Sequence, residues 1–107
     1  MSELVVCIER LVDEHFPGFV ECSLLDAFGR THRFIEKAPV VSMETLRSDS
    51  QYPRPGAIAC RIVREWHSDD AGPLVLVDTE RPWGVESTEG RTSFVVLASQ
   101  VSAQRFP

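Results

Sequence analysis

Lysine is nearly absent from this chain. Lys37 stands alone against ten arginines, and sixteen aspartates and glutamates outnumber all eleven basic residues. The formal charge of -5 has the wrong sign for a protein that gathers phosphates through Lys and Arg, which excludes nucleic acid as an expected partner. A stacking groove for single strands would need basic and aromatic residues on one surface, whereas Arg30, Arg33, Arg61 and Arg64 are offset by Glu21, Glu36 and Glu65. The arginine excess itself is read as coding bias rather than a demand for bidentate ion pairs.

Long apolar runs are also missing. The longest is about five residues, far short of the roughly 20 that a bilayer span requires, so no membrane association is expected. Glu3 occupies the place where a secretory signal carries positive charge, and Glu9 and Arg10 interrupt any apolar core behind it. Cysteine is sparse: Cys7, Cys22 and Cys60 make an odd number with no Cys-x-x-Cys or Cys-x-x-His spacing. Reduced core thiols in a cytoplasmic protein fit this better than a disulfide framework or a zinc site. No Gly-x-x-x-x-Gly-Lys-Ser/Thr or Gly-x-Gly-x-x-Gly pattern occurs, and Ser87 lacks a Gly-x-Ser-x-Gly elbow. The expectation is therefore no cofactor, no metal and no catalytic residue.

What is present is ordinary globular composition, with 43% hydrophobic and 25% charged residues, at a length that supports one core over residues 1–107. Leu4, Cys7, Ile8, Leu11 and Val12 recur at three-and-four spacing, which predicts an amphipathic helix over Ser2–His15, capped by Ser2 and stopped at Pro17-Gly18. From Phe19 to Leu25 the period becomes two, with Val20, Cys22 and Leu24 on one face. Asp26-Ala27-Phe28-Gly29 supplies turn chemistry, and a second strand follows over Arg30–Val41. Ser42–Gly56 is read as a long loop, with one possible helical turn at Met43–Leu46. Further strands are expected at Ala57–Trp66, Leu74–Asp78 and Thr92–Ser99, with a second long loop over Thr79–Arg91. No helical crossover makes neighbouring strands parallel. The predicted fold class is α+β: an N-terminal helix packed on a small five-stranded antiparallel barrel, SH3-like or similar, or a strongly curled sheet.

Chemistry-bearing residues are scattered. His15, His32 and His67 fall on three elements, and His32 and Glu36, although on one strand face, are about 13 Å apart at ~3.3 Å per residue. The loop after Asp78 collects Glu80, Arg81, Trp83, Glu86, Ser87 and Glu89. Trp83 sits between Pro82 and Gly84, either folded back over the barrel mouth or presented outward as an anchor of the kind that dominates binding hot spots. Arg81, Glu86, Tyr52 and Arg54 complete the expected binding set. The sequence thus points first to a small acidic, non-catalytic protein-binding module, of accessory or immunity type, using the 42–56 and 79–91 loops. The alternative is a small enzyme or enzyme subunit with Asp78, Glu80 or Glu86 and His32 at the barrel mouth. A homodimer built through an uncovered edge strand is a further expectation.

Overall fold

The computed structural model describes residues 1–103. Strands β1 (Ser2–Asp13), β2 (Phe19–Leu25) and β3 (Thr31–Lys37) come first, followed by a single helical turn, α1 (Ala38–Val41). Strands β4 (Arg54–Ser68), β5 (Gly72–Asp78) and β6 (Ser93–Leu97) follow, then a short 3-10 turn at Ala98–Gln100 and β7 (Val101–Ala103). They form one seven-stranded antiparallel sheet in the order β3-β2-β1-β4-β5-β6, with β7 pairing β1. The sheet curls into a half-barrel. Ala27 N donates to Val95 O at 2.9 Å and Thr88 N to Arg33 O at 2.8 Å, which ties β6 and the loop before it to the first hairpin.

The predicted N-terminal helix is a strand, and the described residues form seven strands rather than five. Leu4, Val6 and Ile8 are buried while Val5 is exposed and Cys7 half-buried, a period of two that coexists in the sequence with the helical spacing. β-branched Val5, Val6 and Ile8 suit an extended backbone. Tertiary pairing decides between the two periods, because β1 runs between β4 on one side and β2 and β7 on the other. Register irregularities between Ile8 and Arg10 and between Leu11 and Asp13 shift the side-chain phase late in the strand.

The second predicted strand ends at Lys37, not Val41. Pro39 lies in the first turn of α1, where its missing N–H costs no helical bond. No helical turn forms at Met43–Leu46. β4 begins at Arg54, inside the predicted loop, because Arg54, Pro55 and Gly56 pair with Ile8, Cys7 and Val6. This first half of β4 is paired on its β1 side, and β5 joins the other side only from Arg61 onward. Pro55 is tolerated in such a half-paired strand.

The core lies inside the curl, where Leu4, Ile8, Val20, Phe34, Ile58, Val77 and Val96 are fully or almost fully buried. Phe34 and Phe94 meet edge to face, with ring centroids 5.6 Å apart. Cys22 and Cys60 are buried free thiols, pushed up to about 12 and about 11 by burial, so they pack as small apolar groups.

Candidate interaction groove

The register of β1 on β4 places Glu3 opposite Ala59 and Val5 opposite Ala57. Residues opposite one another in an antiparallel ladder share a face, and this is the face turned away from Leu4, Ile8 and Ile58. Because Ala57 and Ala59 are small, the ladder leaves a trough here. The segment Pro39–Glu44 walls it on one side, and Trp83 stands at it from the loop between β5 and β6. The groove measures about 710 Å³. Trp83 is 67% exposed, and Met43, which also lines the groove, is fully exposed.

Local hydrogen bonding explains why Trp83 projects. The Thr79 hydroxyl, fully buried, donates to Val85 O at 2.6 Å with Thr92 O at 3.3 Å, and Thr79 N donates to Thr92 O at 2.8 Å. Val85 is buried and its N–H returns to Thr79 O at 3.0 Å. This closes a neck, leaving residues 80–84 as a bulging turn. Gly84 supplies the positive φ of 65° at its end, and its N–H donates to Glu80 O. Past the neck, Ser87 Oγ accepts the N–H groups of Arg91 at 3.1 Å and Glu89 at 3.3 Å, so this buried hydroxyl closes a turn and faces no base.

The five residues singled out for binding are placed differently. Trp83 lines the groove. Arg54 forms an ion pair with Glu44 on the groove wall. Tyr52 is half-buried against the core, and its hydroxyl donates to Arg47 O at 2.8 Å, so it braces the 42–53 segment. Arg81 lines a separate shallow pocket with Met1, Ser2, Cys60, Arg61, Ile62 and Pro82. Glu86 lies exposed, near enough to Glu36 that its charge adds to the burial raising the Glu36 carboxyl. Of the five, Trp83 alone lines this groove; Arg54 reaches it only through Glu44 and itself lines a neighbouring pocket with Val5, Pro53 and Pro55. Sequence reasoning missed the floor residues Val5, Ala57 and Ala59. The signal was there in Ala57 and Ala59, small side chains on the outward phase of a strand whose inward phase carries Ile58 and Cys60.

The groups of the alternative acid-base site bond to other partners or face solvent. His32 is buried and its Nε2 lies 2.7 Å from Asp26 Oδ2. Asp78 instead bonds Arg61 at 3.2 Å and accepts the Glu80 N–H at 2.9 Å, and Glu80 and Glu86 are exposed. Among the described residues no group of three His, Cys, Asp or Glu side chains is close enough to hold a metal ion, and no helix is long and apolar enough to cross a membrane. Comparison with known proteins returns nothing: no family model, no curated protein and no solved structure matches this chain.

Proposed function

We propose that this chain is a small non-catalytic protein-binding module of accessory or immunity type, and that the Trp83 groove is its contact surface. The observation that carries the reading is Trp83 itself, 67% exposed at a groove of about 710 Å³ that exposed Met43 also lines. An exposed Trp flanking a trough with a largely apolar floor matches the anatomy of interface anchors. The wall runs over Pro39–Glu44, which overlaps the start of the 42–56 segment, and Trp83 comes from the 79–91 loop.

A photo-crosslinking residue placed at Met43 should capture a specific protein that the same residue placed at Glu65, on the protruding β4–β5 hairpin, does not. The captured protein, purified, should bind the unmodified chain at least tenfold more tightly than the Trp83→Ala variant, as truncation of a central aromatic anchor commonly does. Equal affinities would overturn the role of the groove. Because Trp83 is largely exposed, the variant should keep the stability of the parent within about 0.5 kcal/mol.

A further inference from the structure

We infer that the groove receives a Lys or Arg side chain carried on an apolar segment of the partner protein, with Glu3 as its counter-charge and the face of Trp83 beside it. This deepens the groove reading and rests on it. The two ionisable side chains lining the groove, Glu3 and Glu44, are both carboxylates. Glu44 already meets Arg54. Glu3 is half-buried and forms no ion pair among the described residues. A carboxylate without an ion-pair partner at the groove offers an incoming cation a complementary charge.

The remaining lining suits the rest of such a side chain. Val5, Val40 and Pro39 offer apolar surface to an aliphatic stem whose charged head stays at the rim. Exposed Trp83 offers a ring face to an ammonium or guanidinium. Ala59, directly across the ladder from Glu3, is too small to fill the space above the carboxylate. The chain's formal charge of -5 adds a long-range field that draws a basic segment in.

A random 12-residue peptide display library tests this, selected on the intact chain and counter-selected on an Ala57→Trp variant whose groove floor is filled. Enriched peptides should carry Lys or Arg next to apolar residues. Their binding, followed by the indole signal of Trp83 in NMR spectra, should weaken about tenfold in Glu3→Gln and fall with added salt. Enriched peptides without a cation, or affinities unmoved by Glu3→Gln, would overturn the cationic occupant while leaving the groove reading intact. No enrichment over the Ala57→Trp counter-selection would overturn both. Thermal melts of Glu3→Gln and Ala57→Trp that match the parent establish that lost binding is not lost folding, and Trp83→Ala supplies a second groove variant if Ala57→Trp does not fold.

Discussion

Asp26 and His32 close the first hairpin as a pair: Asp26 Oδ2 lies 2.7 Å from His32 Nε2, while His32 Nδ1 is buried without a partner. The other carboxylate oxygen, Oδ1, accepts the N–H groups of Phe28 at 2.9 Å and Arg30 at 3.0 Å. The His32 ring packs edge-on against Phe94, with centroids 4.9 Å apart.

Burial works against the ionised Asp26, but the His32 bond and the two backbone N–H groups outweigh it and hold its carboxyl below the ordinary value. A carboxyl lowered in the folded state contributes stability above its unfolded pKa and loses it as the pH falls through the folded one. Asp26→Asn should therefore melt lower at pH 7, by about 1–3 kcal/mol for a lost charge-assisted bond. The gap should narrow below about pH 4, where the parent carboxyl itself protonates. Thermal melts by circular dichroism at pH 7 and pH 3 check this; a gap that does not change with pH would contradict it.

Glu36 works in the opposite direction. Burial raises its carboxyl, with the Glu86 charge adding to the effect against the Lys37 backbone and charge. A raised carboxylate pKa means that the folded state holds the proton more tightly than the unfolded chain, so the penalty is absent at low pH and complete at neutral pH. Glu36→Gln should stabilise the protein at pH 7 and leave it unchanged below about pH 4. Denaturant titrations at the two pH values give the sign directly.

Thr79→Val keeps the shape of the neck but removes the hydroxyl that Val85 O accepts at 2.6 Å. A buried carbonyl left unsatisfied costs about 1–3 kcal/mol. The loss of stability should come with faster amide exchange at Val85 and Gly84, while Thr79→Ser, which restores the hydroxyl, should recover most of it. Equal destabilisation by both substitutions would place the effect in the lost methyl instead.

Gly56 leaves no room for a side chain. A Cβ there would lie 2.8 Å from Ile8 Cδ1 and Cγ1 and 3.0 Å from Val41 O. Ile8 can turn, but a backbone carbonyl cannot yield without moving α1. Gly56→Ala should destabilise by about 1–3 kcal/mol, the usual cost of overpacking. Because α1 leads into the groove wall, peptide binding should also weaken; a variant as stable as the parent would show that α1 yields freely.

Where one period was present, the sequence was readable. Phe19–Leu25 alternates cleanly and is β2 to the residue; in β4 the alternation of Ile58, Cys60 and Ile62 holds for the first two, which are buried, but Ile62, at the register shift in the β4–β5 ladder, is exposed. Where two periods coexist it was not. Leu4, Cys7, Ile8, Leu11 and Val12 draw a helical stripe, yet Leu4, Val6 and Ile8 draw an extended one, and only the strands on either side of β1 choose between them. The exposure of Trp83 was one of the two placements open in the sequence, where Pro82 and Gly84 isolate it in a turn. The groove beneath it was not legible, since it exists through the pairing of Glu3 with Ala59 and Val5 with Ala57, more than fifty residues apart in the chain. Asp26 beside His32 was hidden for a different reason: the hairpin turn brings together a loop carboxylate and a strand imidazole whose spacing of six residues carries no motif.

β4 is fifteen residues long and belongs to two ladders, with Arg54–Cys60 held by β1 and Arg61–Ser68 by β5. Its midpoint is a mechanical seam. Opening of the β5–β6 arm, which must also break the Ala27–Val95 and Thr88–Arg33 bonds, would leave the β1–β4 ladder in place and carry away Thr79 with the neck that positions Trp83. The groove floor and the anchor above it thus lie on opposite sides of this seam, and a partner that grips both staples the two halves of the sheet together. Its binding should be read as slowed amide exchange along β5, well beyond the residues it touches.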